Sequence, residues 1–223
     1  AEPPHATGDE AGYIAALRGA KARFAGEICV AAGLELDALS RFSARKEMDY
    51  VIGSVHYLYD KAADRFYGVD WDEATAKTCI KEMFGKNGLA YAKAYYAAVA
   101  ENALRTRPDV IGHFDLVVKP NARGALFDEE SPAYRAAALE ALDACCEAGA
   151  ILEVNTGGVF RGWRSTFYPA PFRLRRAAEK GMRATVSADA HCAEALCFGF
   201  AAAREMLRCA GFCSVWALRG GTF

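Results

Sequence analysis

Short apolar runs alternate with helix-like segments along nearly the whole chain, and this alternation restricts the available folds more than any other feature. Residues 10–25 place Ile14, Leu17, Lys21 and Phe24 at helical spacing, and the strand-like run EICVAAGLEL follows. YVIGSVHYL, residues 50–58, reads as the next strand, and a polar and aromatic insertion then extends to Val69. Asp70 with Glu73 forms a capping-box pattern that opens a helix through Phe84. Gly85 and Gly88 interrupt it, and a second helix covers residues 89–104, ending before Pro108. VIGHFDLVV returns to strand character. Ser131-Pro132 starts a helix, N-cap then proline, that ends near Gly149, and ILEVN follows as a strand. Residues 171–180 read as helix with Gly181 at the C-terminal cap, ATVSADA as strand, and residues 193–210 as a helix stopped by Gly211. A last apolar run covers residues 212–218.

Units of this kind specify an α/β fold with parallel strands covered by helices, either a doubly wound sheet or a barrel. The placement of polar residues favours the barrel. Five successive strands end, at the carboxyl side, in groups able to bind metal or anion: Glu35, then His56, then His113 and Asp115, then Glu153 and Asn155, then Asp189 and His191. A barrel brings such ends together on one rim, whereas an open sheet spreads them. Imidazole with carboxylate suits zinc, manganese or iron(II). The other reading, buried polar residues satisfied by their neighbours, stays open at this point. His5, in a proline-rich terminal segment, reads as simply exposed.

Composition narrows the partners. The 27 basic and 28 acidic residues leave no field favouring nucleic acid or an anionic membrane, so the partner is expected to be a small molecule. No stretch of about 18 uncharged apolar residues occurs, and AEPPHATGDE lacks the pattern of a signal peptide, so a cytoplasmic location is expected. Of the 8 cysteines none forms C-x-x-C; they read as reduced, buried thiols. The insertion after His56 reads as a mobile surface loop from which Lys61 or Arg65 could reach a ligand. Tyr91, Tyr95 and Tyr96 read as helix packing.

DYVIGSVH (49–56), VIGHFDLV (110–117), LEVNTGGVFRG (152–162), Tyr168-Pro169 and TVSADAH (185–191), in that order and spacing, resemble the histidinol-phosphatase branch of the PHP (polymerase and histidinol phosphatase) superfamily. The likeness covers nearly the whole chain. It implies a distorted (β/α)7 barrel holding up to three divalent ions, zinc, manganese or iron, and hydrolysis of L-histidinol phosphate in histidine biosynthesis. By the same resemblance Glu35 bridges two metals, His56 and His113 complete the second metal's shell, Asp189 binds the first metal and His191 the third. A bridging carboxylate of this kind holds cations about 3.5–4 Å apart and lowers the pKa of a shared water for in-line attack on phosphorus. Arg161, with Arg164 second, is expected to meet the phosphate bidentately, and Asn155 to stand beside it. Asp115, two residues after His113, is expected on the same strand face in an orienting or leaving-group role.

The chain departs from the family at its start, where the H-x-H strand and a T-D-H-like strand have no counterpart. The expectation is therefore one phosphoesterase domain over residues 1–223, truncated by its first two strands, with the oligomeric state open. Two further readings stand beside histidinol phosphatase: a PHP-type hydrolase of another phosphate ester, and a non-catalytic remnant that binds metal through Glu35, His56 and His113.

Overall fold

The computed structural model describes residues 9–221 and 223; His5 lies outside them. Helix α1 (Glu10–Arg23) is followed by β1 (Gly33–Asp37) and β2 (Tyr50–Ser54). A hairpin, β3 (Tyr57–Asp60) and β4 (Arg65–Gly68), precedes α2 (Glu73–Phe84) and α3 (Gly88–Thr106). There follow β5 (Val110–Ile111), α4 (Pro132–Glu147), β6 (Ile151–Asn155), the one-turn α5 (Gly157–Phe160), α6 (Pro171–Glu179), β7 (Ala184–Ser187) and α7 (Phe200–Ala210).

The fold is α/β. Strands β1, β2, β5, β6 and β7 form one sheet in that order, every neighbouring pair parallel. Side chains alternate across a strand, so the register row Gly53, Ile111, Leu152, Ala184 belongs to one face. Ile111, Leu152 and Ala184 of that row join a core with Tyr91, Tyr95 and Tyr96 of α3, Leu142 of α4, Leu174 of α6 and Leu207 of α7. The other face carries Glu35, Ile52, Glu153 and Thr185. Helices thus cover one face and leave Glu35, Glu153 and Thr185 on the other, and the parallel strands joined through helices agree with the alternation read from the sequence.

Caps explain several boundaries. Ser131 accepts from the Tyr134 amide ahead of Pro132, and the Asn87 side chain accepts from the Ala90 amide at the start of α3. Among the described residues no helix is long and apolar enough to cross a membrane.

Five expectations are corrected. The α2 cap is Asp72, whose carboxylate accepts from the Thr75 amide, and not Asp70, which instead pairs with Lys119 at 3.3 Å. The expected mobile loop is the β3–β4 hairpin, held by buried Leu58 and Tyr67, with Arg65 turned to Glu82 at 2.9 Å. The long strands expected at 50–58 and 110–118 are cut to Tyr50–Ser54 and Val110–Ile111, because the chain turns away at the histidines that follow. Helix α7 begins at Phe200 rather than residue 193. Gly199 adopts φ +70° there, and Thr156 Oγ1 donates to the Phe198 carbonyl at 2.7 Å, drawing 196–199 off the helix axis. Finally, all cysteines are free, yet only Cys79 and Cys145 are buried; Cys29, Cys192, Cys197, Cys209 and Cys213 are exposed because their segments turn away from the core.

Candidate functional site

Glu35 sits within β1 on the helix-free face, and the Ser54 hydroxyl of neighbouring β2 donates to its Oε1 at 2.7 Å. His56 stands in the link between β2 and β3. Its amide donates to Asp37 Oδ2 at 2.7 Å, its Nδ1 lies 3.5 Å from that same oxygen, and its Nε2 lies 3.3 Å from Glu35 Oε1. His113 follows β5 at φ +21°, an uncommon backbone for a side-chain-bearing residue, with its amide donating to Glu153 Oε2 at 2.6 Å. That turn swings its Nε2 to 3.0 Å from Glu35 Oε1. The two imidazoles meet edge to face, centroids 5.1 Å apart.

Ligand-capable atoms of Glu35, His56 and His113 all lie within 4.8 Å of one another. Two imidazoles and a carboxylate match the donor set of a borderline divalent cation. His113 Nδ1 is buried with no hydrogen-bond partner among the described residues, an orphan atom that structural packing alone does not account for.

The electrostatics agree. Burial opposes charge at Glu35, but hydrogen bonds from His113 and His56 and their positive charge outweigh it and hold the carboxyl far below its ordinary range. Burial also opposes charge at His56, yet the hydrogen bonds to Asp37 and Glu35 raise it to about 10. His113 is raised too, its bond to Glu35 overcoming burial. In the absence of metal, protons occupy the positions that a cation would take.

Glu35, His56 and His113 line a cavity of about 220 Å³ that Arg161, Asp189 and His191 also border. The Arg161 guanidinium donates to the Asp189 carboxylate at 2.8 Å and to the Asp189 carbonyl at 2.9 Å, and it lies over the Trp163 ring at 4.4 Å. Asp189 is past the end of β7 at φ +47°, and His191 is 77% exposed with its Nδ1 2.9 Å from the Asp189 carbonyl. The two therefore share a turn beyond the end of β7. Lys119 completes this wall, paired with Asp70 and 3.7 Å from the Trp163 ring centroid.

Four residues expected at the site make scaffold contacts. Asp115 does not border the cavity: the chain leaves the strand before it, and its carboxylate pairs with Arg173 at 2.9 Å and accepts from the Ala170 amide at 3.0 Å. Arg164 is not among the residues lining the cavity and donates to the Val118 carbonyl and Glu129. Asn155 borders the cavity, but its amide is engaged with Glu153 and with the Gly157 amide, pinning the start of α5. Glu153, read as a rim ligand, lies below that rim, accepting from the Ser187 hydroxyl at 2.6 Å.

Sequence reasoning passed over Asp37, Asp70, Lys119, Trp163 and Arg173. Asp37 was within reach, since it stands two residues after Glu35 in one strand; the others are joined only by tertiary contact.

No protein-family model matches the chain. It is 34% identical over 209 residues to a Deinococcus radiodurans protein named probable histidinol-phosphatase, the match covering 89% of this chain and 72% of that one. The histidinol-phosphatase of Bacillus subtilis is 24% identical over 195 residues, 80% of this chain and 69% of that protein. Among solved structures, histidinol phosphate phosphatase from Lactococcus lactis, complexed with zinc, L-histidinol and phosphate, shares the fold with a TM-score of 0.61 at 21% identity, over 95% of this chain and 78% of that one.

Proposed function

The chain belongs to the PHP-type histidinol-phosphatase family, and from that membership we propose that it is a divalent-metal-dependent phosphomonoesterase converting L-histidinol phosphate and water to L-histidinol and phosphate. The observation that carries the reading is one cavity bordered both by the Glu35, His56 and His113 cluster and by the Arg161 guanidinium. Cation ligands and a fixed anion receptor on one cavity wall are what hydrolysis of a phosphate monoester requires.

A bound divalent ion supplies Lewis acidity, lowering the pKa of water and neutralising charge on phosphoryl oxygens. The chain's own residues supply position. Ser54 fixes the Glu35 carboxylate, and Asp37, reaching the opposite ring nitrogen from Glu35, fixes the orientation of His56. Arg161, already oriented by Asp189, presents its guanidinium to the phosphate. Asp189 and His191 border the same cavity and are our candidates for holding a further ion, toward the three of the family expectation. Zinc, manganese and iron(II) all accept this donor set. The domain reading that goes with this function is one phosphoesterase domain, and the location is the cytoplasm, where exposed free thiols stay reduced.

The test is phosphate release from L-histidinol phosphate by the purified chain supplied with zinc or manganese. Turnover is expected with metal, lost on chelation, and reduced at least about a hundredfold in Glu35→Gln, on the scale of removing one electrostatic contributor. Full metal occupancy without turnover of any phosphate monoester would reject the enzyme reading, and faster turnover of another ester would move the substrate.

A further inference from the structure

Beyond the cluster and the arginine, the cavity is bordered by a tyrosine whose hydroxyl has nothing to bind among the described residues. Tyr168 borders it, is only 3% exposed, and among the described residues its Oη has no hydrogen-bond partner. Buried hydroxyls are normally satisfied, and one left unpaired is costly.

The cost is not the by-product of a loose loop, because everything around the ring is pinned. The Tyr168 carbonyl accepts from the Asn155 amide at 2.8 Å, and the Tyr168 amide donates to the Asn155 carbonyl at 3.1 Å. Two residues on, the Ala170 amide donates to Asp115, which is itself held by buried Arg173. The face of the ring lies on Gly158: a Cβ there would fall 2.5 Å from Cε2 and 3.1 Å from Oη, so only glycine leaves the ring its place. Two backbone hydrogen bonds, a buried ion pair and a glycine thus fix this ring at the edge of the cavity.

Charge says what would meet it. Burial, the largest influence, and then the Asp115 carboxylate keep the phenol protonated well above its ordinary value, while Arg164 and Arg161, also near enough to act on it electrostatically, pull the other way. A neutral O–H donor beside a guanidinium matches a tetrahedral oxyanion, which offers several acceptor oxygens at once.

We infer that Tyr168 is a substrate-binding residue of this site, its phenol donating a hydrogen bond to a non-bridging phosphoryl oxygen that Arg161 also contacts. The inference rests on the phosphatase reading for the identity of the anion. Its test, however, needs no turnover: the zinc-loaded full chain is titrated calorimetrically with inorganic phosphate, and thermal midpoints are recorded alongside. Tyr168→Phe, which keeps the ring and deletes the oxygen, is expected to weaken phosphate about ten- to a hundredfold, the range for a hydrogen bond to a charged group. Its thermal midpoint is expected to stay level or rise, because an unpaired polar atom has been removed. Gly158→Ala is expected to weaken phosphate as well with the hydroxyl still present, since the ring must shift.

Equal phosphate affinity in wild type and Tyr168→Phe overturns the inference and leaves Tyr168 a packing residue. Absence of phosphate binding by the wild-type chain overturns it too. Phosphate binding that depends on Tyr168, with no release of phosphate from L-histidinol phosphate, would instead sink the phosphatase reading and leave this one standing.

Discussion

Glu35 Oε1 receives both imidazoles and the Ser54 hydroxyl, so one oxygen organises the cluster. His56, raised from 6.5 to about 10, adds stability that is complete below 6.5 and is lost as the pH climbs through about 10. Glu35, held below its ordinary 4.5, adds stability that is present above 4.5 and is lost on strong acidification. The metal-free wild type is therefore expected to lose urea resistance between pH 7 and 10.5 more steeply than His56→Gln; parallel profiles would contradict the assignment. A second residue-scale prediction concerns Arg173, 1% exposed, which donates at 2.6 Å to both Tyr96 and Tyr134 and pairs with Asp115. Arg173→Leu leaves the Asp115 carboxylate buried and unpaired, and equilibrium unfolding should show a loss of about 3–5 kcal/mol. Adding Asp115→Asn should return part of that loss. Neither the cluster's geometry nor this network was legible locally: Glu35, His56 and His113 were recognisable as ligand types, whereas Arg173 read as one arginine among several in a helix.

Elements whose signals are local were read closely from sequence. Ser131-Pro132 opens α4 at the expected residue, and α6 ends two residues before Gly181. Ser131→Ala should cost about 1 kcal/mol, the usual value of an N-cap, measured by urea unfolding; an unchanged midpoint would show that packing alone sets this boundary. Elements whose ends depend on distant partners were misread. The insertion after His56 lacked an alternating pattern and so looked like a loop, yet Tyr67 and Arg65 both reach Glu82 of α2, and this contact with a helix gives the hairpin its fixed position. Strand β5 looked long because FDLVV continues its apolar character. Those residues instead turn into the core, where Phe114, Leu116, Val117 and Val118 are all buried. A period of two and a buried turn are indistinguishable when every residue is apolar.

Over the whole molecule the sheet ends at β1 on one side and β7 on the other, and each edge takes a hydrogen bond from a segment outside the sheet. The Tyr13 hydroxyl of α1 donates to the Gly33 carbonyl at 2.5 Å, and the Trp216 amide to the Ala184 carbonyl at 2.8 Å, so chain from both ends of the sequence lies along the outer strands. Because the candidate ligands come from β1, the β2–β3 link and the turn after β5, a bound cation would tie together three segments separated in sequence. Zinc at a hundred times its dissociation constant should stabilise the fold by about 2.7 kcal/mol, read as a rise in the thermal midpoint that chelation reverses and His113→Ala abolishes. By itself the sequence determined the α/β class, the order of strands and helices, and the residue types gathered at the strand ends, because hydrophobic period, caps and donor chemistry are properties of neighbouring residues. The tertiary structure alone decided which of those groups meet: Asp115 and Arg164 turned into the scaffold, while Asn155, Asp70, Lys119, Trp163 and Tyr168 came to the cavity. Strand register and the turns at His113 and Asp189 set those directions, and both depend on packing between segments that no local pattern records.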